Sequence, residues 1–357
     1  MSDSNSMPRT LRRVIASSVS IVMGLAWVGQ AGAAASEPAS KRRAEARATY
    51  AERDDVRAFI TEMTTQHGFD GRDVERWLAA ARYQPKIVEL MSRPILEPPK
   101  WYEYAPPFLS KARVDAGVVF WNTHAAELAR AESETGVPAE IIVAIIGVET
   151  YYGRTTGSHR VIDALATLAF DYPRRAAFFR GELREFLLLA REQNFSPMTV
   201  KGSYAGAMGL PQFMPGSYRR FAVDFDGVGG ADLFASTGDA IGSVANYLAR
   251  HDWQRGQAVL VPARLQPEQQ SSILRRLDGG LSERRLASMW AEDGVTPVAW
   301  PGVVGPEPLG LLLLEESPSE SSFWIACHNF YVITRYNRSR LYATAVWQLA
   351  QAVRQAR

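Results

Sequence analysis

The sequence predicts a mainly α-helical protein of the α+β class, with a small α+β insertion before the last helix. Two observations lead to this prediction. Before residue 252, apolar residues recur at helical spacing in most segments. After residue 252, short apolar runs between turn residues are more typical of strands. A chain of 357 residues can bury a substantial core and divide into about two or three compact units.

The first 33 residues, 1–33, are predicted to be a secretory signal peptide. Arginines precede an apolar segment at 14–28, and the Ala-Gly-Ala run at 31–33 fits a cleavage site. A retained membrane anchor is the alternative, but the segment is shorter than the roughly 20 apolar residues that span a bilayer. No cysteine at the cleavage point could accept a lipid, so we expect a periplasmic protein without stable membrane insertion. Residues 34–50, which are small and charged, are expected to be a flexible lead-in.

Helical patterns continue along the chain as far as residue 252. The N-terminal region, residues 51–115, begins with two runs of apolar residues at helical spacing, which predict a helical pair. Prolines between 94 and 107 then predict an extended segment that carries Trp101 and Tyr104. Residues 116–252 form the predicted catalytic core, with helices that include Val118, Ile141, Gly181 and Asp239.

A small α+β insertion is predicted over residues 253–322. The runs at 257–261 and 310–315 resemble strands, as does the long apolar run at 323–333. Residues 323–357 would then complete the core with a C-terminal strand and a helix over 340–355. Cys327 is the only cysteine and cannot form an internal disulfide, so we expect a buried free thiol.

The charge balance argues against nucleic acid as a partner. Basic side chains exceed acidic ones by only two. No block of lysine and arginine is interleaved with aromatic residues in a recognisable nucleic-acid motif.

Glu149 is the strongest candidate for a catalytic residue. It ends an otherwise unbroken apolar run that begins at Ile141, and Pro138 and Gly153 suit the start and the stop of one buried helix. Isoleucines stand three, four and seven positions before it, so Glu149 shares their core-facing side. A carboxyl group there loses hydration, which raises its pKa as a general acid requires. The alternative is a structural carboxylate that pairs with Arg154 or another cation.

Two sequence blocks resemble the B-type lytic murein transglycosylases, glycoside hydrolase family 103. The first block is GVETYYG at 147–153, and the second is KGSYAGAMGLPQFMP at 201–215. The similarity continues through 239–247 and 333–337, and covers most of the chain from about residue 100 onward. The resemblance implies a lysozyme-like helical core and an enzyme that cleaves the MurNAc-GlcNAc β-1,4 bond of peptidoglycan glycan strands.

The resemblance also implies the reaction chemistry. Glu149 would correspond to the family's only essential carboxylate, acting first as general acid and then as base. Most glycosidases need a second carboxylate, but no motif places Asp163 or Asp171 opposite Glu149. The substrate's N-acetyl group would assist departure, and its 6-hydroxyl would attack to form a 1,6-anhydromuramoyl end, with no cofactor required. The alternatives are a hydrolysing muramidase and a non-catalytic peptidoglycan-binding scaffold.

Other family positions carry over to this sequence as candidate substrate-binding residues. Ser203 matches a hydroxyl that orients the N-acetyl group, and Gln212 matches a side chain near the catalytic glutamate. Each could instead serve a turn or satisfy backbone groups. The remaining candidates would contact the glycan or its stem peptide: Tyr104, Arg174, Arg175, Phe213, Met214, Tyr336 and Asn337. Cell-wall synthesis or remodelling proteins are expected further partners.

A candidate metal loop lies at 224–235, where relatives can hold a cation in an EF-hand-like loop. Asp224, Asp226 and Asp232 are present and Asp239 follows the loop. Two expected oxygen ligands are missing, however, because loop positions five and twelve are valine and alanine. Calcium affinity depends on ligand number and charge, so we expect a metal-free or weakly occupied loop whose aspartates cap turns and helix starts.

Overall fold

The computed structural model describes residues 50–93, 98–277, 283–299 and 305–357. The predicted signal peptide and all but the last residue of the lead-in lie outside these ranges. Within them, no helix has both the length and the apolar character that a membrane span requires.

Helices dominate the protein before residue 252, as the sequence predicts. They are, in chain order, α1 (Asp54–His67), α2 (Gly71–Ala79), α3 (Pro85–Ser92), α4 (Trp101–Tyr104), α5 (Lys111–Thr123), α6 (Ala125–Thr135), α7 (Ala139–Thr150), α8 (Val161–Asp171), α9 (Ala176–Glu192), α10 (Pro215–Phe221) and α11 (Thr237–Arg250). A short antiparallel ribbon pairs β1 (His159–Arg160) with β2 (Lys201–Gly202). The predicted N-terminal pair is α1 and α2, which Gly68 joins with a left-handed φ of 66°.

The predicted extended segment is helical in part, because α4 forms one turn there. The Lys100 N–H donates to the Glu103 carboxylate at 3.0 Å, and the Tyr104 N–H donates to the Lys100 carbonyl at 3.0 Å. These bonds satisfy backbone groups at the start of the turn. The prolines therefore limit the length of this helix without preventing it.

The insertion contains a five-stranded antiparallel sheet with its own small core. Its elements are β3 (Leu260–Leu265), α12 (Pro267–Arg276), β4 (Arg284–Arg285), α13 (Ala287–Glu292), β5 (Val295–Pro297), β6 (Leu309–Glu315) and β7 (Ser321–Ala326). The strand order is β4-β6-β7-β3-β5. Val261, Ile273, Trp290 and Ile325 are buried together, apart from the main core.

The predicted strand over 323–333 was wrong beyond Ala326. The chain continues as helix α14 (His328–Tyr336) and then as α15 (Arg340–Ala356). A continuous apolar run does not distinguish a buried strand from a buried helix by periodicity. The buried Asn329 contributes to fixing the start of α14, since its amide donates to the Gln254 and Gln257 carbonyls at 2.8 and 3.0 Å. Cys327 is a buried free thiol, as predicted.

Helix α7 is the centre of the main core. All of its residues except Glu149 are buried, and it packs against α5, α11 and α15. Helix α15, near the C-terminus, therefore packs on α7, which comes from the middle of the chain. This arrangement places Glu149 at the boundary between the core and a cleft.

Candidate active site

The end of α7 has an unusual backbone that positions Glu149. The helix stops at Thr150, and the next two residues, Tyr151 and Tyr152, have left-handed φ angles of 51° and 57°. Such angles cost energy in non-glycine residues and are often kept at functional sites. The missing side chain of Gly147 makes room, because a Cβ there would lie 2.6 Å from the Tyr152 hydroxyl. Two tyrosines thus follow the last residue of the helix, one position after Glu149.

The surroundings of the Glu149 carboxyl group favour its protonated form at neutral pH. Burial among apolar groups raises its pKa to about 8. The hydroxyl of the fully buried Tyr342 donates to Oε1 at 2.6 Å and partly opposes this shift, because that bond favours the charged form. Glu149 forms no ion pair with any described residue, and the Arg154 guanidinium lies over the Tyr151 ring instead, at 4.6 Å. The carboxyl group is therefore suited to donate a proton.

The Glu149 side chain lines a cavity of about 310 Å³. The predicted site residues on its wall are Arg175, Ser203, Gln212, Met214, Tyr336 and Asn337. Three further arginines and one acid line the same space: Arg220, Arg335, Arg338 and Glu182. The wall combines residues from α7, α9, α10 and the C-terminal helices, which are far apart in sequence. The cavity is consequently a product of the tertiary fold.

The glycine-rich loop between β2 and α10 is tied to α7 by hydrogen bonds. The Thr150 hydroxyl donates to the Leu210 carbonyl at 2.9 Å. Gln212, which has a φ of 51°, donates its side-chain amide to the Thr156 and Gly209 carbonyls at 3.0 and 2.9 Å. Ser203 Oγ accepts the Ala207 N–H at 3.0 Å, and its own hydrogen has no acceptor among the described residues. Both side chains therefore have a structural role as well as a place on the cavity wall.

An aromatic group forms the wall beside Tyr342. The ring of Tyr336 is stacked on that of Tyr342 at 6.5 Å, with 13° between the ring planes. Its hydroxyl donates to the Pro211 carbonyl at 2.5 Å, which joins α14 to the loop. Burial raises the pKa of the Tyr104 phenol, and the nearby charge of Glu149 adds to this rise. The buried Tyr104 hydroxyl has no protein partner within the described ranges.

Three predicted site residues, Tyr104, Phe213 and Arg174, are not among the residues that line the cavity. Phe213 is 2% exposed and packs behind Tyr336, with 5.7 Å between ring centroids, so it belongs to the core. Arg174 is exposed at the short 3₁₀ turn before α9. Apolar character alone did not distinguish a lining residue from a core residue, and neighbouring arginines in a turn point in different directions.

Sequence reasoning missed several residues of the site, among them Glu182, Tyr342 and the three arginines Arg220, Arg335 and Arg338. Glu182 lies three positions after Phe179 and four before Phe186, both of which are buried, so its position shares their apolar face. The argument that identified Glu149 could have identified it. For Tyr342 the contact with Glu149 spans 193 positions, and no local pattern predicts it.

The candidate metal loop brings three of its four aspartates together. Carboxylate oxygens of Asp224, Asp226 and Asp239 lie within 4.8 Å of one another, whereas Asp232 is outside this group. These oxygens already accept backbone hydrogen bonds. Asp224 accepts N–H groups from the loop glycines and Val228, foremost Gly230, which lower its pKa. Asp239 accepts the N–H groups of Phe225, Asp226 and Asp232.

Comparison with known proteins identifies the family. Residues 51–351 match the transglycosylase SLT domain. Membrane-bound lytic murein transglycosylase B of Escherichia coli (strain K12) is 42% identical over 322 residues, which are 86% of this chain and 85% of that protein. The crystal structure of soluble lytic transglycosylase SltB1 from Pseudomonas aeruginosa is 46% identical, with a TM-score of 0.79, over 85% of this chain and 99% of that one. The Escherichia coli lytic transglycosylase Slt35 in complex with calcium is 44% identical, with a TM-score of 0.78, over 86% of this chain and 95% of that one.

The helical core and the buried acid at its cleft define a lysozyme-like, glycan-cleaving enzyme. The chain belongs to the transglycosylase SLT family, and it is a lytic murein transglycosylase that cleaves peptidoglycan. The predicted family, fold class and activity are confirmed. The muramidase and scaffold alternatives are not favoured.

Proposed function

We propose that Glu149 alone carries the acid and base steps of cleavage at the MurNAc-GlcNAc β-1,4 bond. The protonated carboxyl group donates its proton to the bridging oxygen as the bond to the anomeric carbon breaks, with assistance from the substrate's N-acetyl group. The resulting carboxylate then removes the proton of the 6-hydroxyl, whose oxygen bonds to the anomeric carbon. Glu149 regains its proton and no water is consumed. The observation that carries this proposal is the raised pKa of Glu149.

The first two acids that follow Glu149 in the sequence, Asp163 and Asp171, are occupied elsewhere. Asp163 is paired with Arg160 at 2.7 Å. Asp171 accepts the hydroxyl of Tyr50 and pairs with Arg53, both at 2.6 Å. These contacts support a mechanism without a second carboxylate, in which the substrate supplies the nucleophile. An attacking group held within the substrate also has a high effective concentration.

We further propose that Ser203 orients the N-acetyl group. Its hydroxyl hydrogen has no acceptor in the described structure, and its oxygen is fixed by backbone N–H groups. The Ser203 hydroxyl can thus donate to a carbonyl oxygen in the cavity without disturbing the loop. Gln212 supports the same loop, since its side-chain amide donates to two backbone carbonyls.

Digestion of purified sacculi is expected to release muropeptides with 1,6-anhydromuramoyl ends. The reason is that the sugar's own hydroxyl replaces water as the nucleophile. Mass spectrometry before and after borohydride reduction measures this, with a digest by a hydrolysing muramidase as the control. Products that carry an additional water mass and a reducible end would instead identify a hydrolase.

We propose that the protein is exported and that its signal peptide is removed. The arginines, apolar segment and small residues of the first 33 positions support this proposal. The mature protein is expected to begin near Ala34 and to be recovered in the soluble periplasmic fraction. N-terminal sequencing after cell fractionation measures both. An intact N-terminus in the membrane pellet would contradict cleavage.

We propose that the loop at 224–235 binds calcium weakly or not at all. Three clustered carboxylates suit a cation, but Val228 and Ala235 supply no side-chain oxygen. The aspartates already stabilise the loop by accepting backbone N–H groups. Calorimetry on chelator-treated protein is expected to detect no binding at micromolar calcium. Micromolar or tighter binding with a matching rise in melting temperature would show that a calcium cage remains.

A further inference from the structure

A second carboxylate, Glu182, lines the same cavity as Glu149. It stands on α9 and is only 8% exposed. The proposed mechanism does not use it. A carboxylate buried to this extent is rare unless it is paired or hydrogen-bonded.

Only one oxygen of Glu182 is satisfied by the protein. Oε2 accepts the Gly216 N–H at 2.8 Å, in the first turn of α10. Oε1 accepts no hydrogen bond from any described residue. The Glu182 carboxylate also forms no ion pair with any described residue. Burial raises the pKa of Glu182. The Gly216 bond and the charges of Arg220 and Arg175 lower it, but they do not cancel this rise. Because the residue lines the cavity, Oε1 is available to a ligand in it.

A matching donor without a partner lies on the same wall. Nη1 of Arg175 is buried and makes no hydrogen bond among the described residues. Its guanidinium group is held over the Phe178 ring at 4.1 Å, which limits its freedom to turn elsewhere. Glu182 and Arg175 thus both line the cavity, and each has one hydrogen-bonding atom that the described protein residues leave unused. A group that offers both an N–H and a carbonyl or carboxylate oxygen would satisfy the two together.

The pKa shifts of Glu149 and Glu182 show no sign that the two acids form the carboxylate pair of a retaining glycosidase. Such a pair stands about 5 to 5.5 Å apart, and each charge then raises the pKa of the other. The charge of Glu149 does not contribute to the pKa shift of Glu182. The charge of Glu182 does not contribute to the pKa shift of Glu149 either. The structure thus favours a binding role over an acid or base role.

We propose that Glu182 is a specificity-determining residue that accepts a hydrogen bond from an N–H group of the murein stem peptide. Arg175 binds a neighbouring carbonyl or carboxylate oxygen of the same stem. The stem is the matching part of the substrate because Arg220, Arg335 and Arg338 also line the cavity, and guanidinium groups suit carboxylates. This inference rests on the proposed function, since it requires the cavity to hold the murein strand.

The test is Glu182→Gln, assayed on peptide-bearing glycan strands and on strands whose stems an amidase has removed. The glutamine oxygen can keep the Gly216 N–H bond, which turns its NH₂ group toward the cavity and replaces an acceptor by a donor. On peptide-bearing strands kcat/KM is expected to fall about tenfold or more, mainly through KM. On stripped strands the change is expected to stay below about twofold. Glu192→Gln is the matched control, because Glu192 lies on the same helix and pairs with the Arg219 side chain instead.

Three results would overturn the proposal. Unchanged kinetics on both substrates would show that Glu182 does not contact the strand. Equal losses on both would place the donor in the glycan and refute the stem assignment. A lower kcat at unchanged KM, with a lower melting temperature, would indicate a purely structural role. Glu182→Gln should still form anhydromuramoyl ends, so its outcome is separate from the test of the reaction itself.

Discussion

Replacing Glu149 by glutamine is expected to lower turnover by about two to four orders of magnitude. Glutamine has nearly the same shape but cannot donate the proton that the leaving oxygen needs. The Tyr342 hydroxyl can still donate to the glutamine carbonyl oxygen, so the fold should be retained. Release of soluble muropeptides from sacculi measures turnover, and circular dichroism checks the fold.

The stability of this variant provides a second, independent expectation. A glutamate with a folded pKa of about 8 has a lower pKa when unfolded, so the wild-type protein loses stability as pH rises from about 4.5 to about 8. Glutamine carries no charge and avoids this loss, so Glu149→Gln should melt at a higher temperature above pH 8. Glu140→Gln is the control on the same helix, where the carboxylate pairs with Arg354 at 3.0 Å. Near-normal turnover of Glu149→Gln would remove Glu149 from the mechanism.

The pH dependence of cleavage is expected to have an alkaline limit near pH 8. Glu149 must be protonated to act, so kcat/KM should fall about tenfold for each pH unit above the pKa of about 8. Tyr342→Phe removes a bond that favours the carboxylate, so the pKa should rise and the alkaline limb should move to higher pH. Initial rates at subsaturating substrate between pH 5 and about 10 measure both effects.

A matched control is available for the pH experiment. Tyr331 is a half-buried tyrosine of α14, and it does not line the cavity. Tyr331→Phe should leave the position of the alkaline limb unchanged. A limb that does not move in Tyr342→Phe would mean that another group controls the pH profile.

The sequence predicts the centre of the site well because local chemistry determines it. The apolar run between Pro138 and Gly153 specifies a buried helix, and Glu149 is its only acid near the end. The helix ends earlier than the glycine implies, because Tyr151 and Tyr152 have left-handed φ angles that tyrosine seldom adopts, and the Tyr152 ring packs against the core beside Phe120.

The parts that could not be predicted depend on contacts between distant segments. The apolar run after Ala326 becomes a helix because it is buried in the main core, beside the Asn329 bonds to the segment after α11. Whether Phe213 or Met214 faces the cavity depends on how Tyr336 packs against the loop. The partner of Glu149 is likewise set by how α15 covers α7.

The distance along the chain between Glu149 and Tyr342 also governs when the enzyme becomes active. A ribosome completes the whole sheet insertion before it makes α15, which covers the isoleucines of α7 and brings the tyrosine to the acid. A growing chain therefore has the acid but lacks the cleft around it. The same holds for a molecule clipped before Arg340. A chain that ends before Arg340 is consequently expected to be inactive, because it lacks the helix that covers α7 and the tyrosine that contacts the acid.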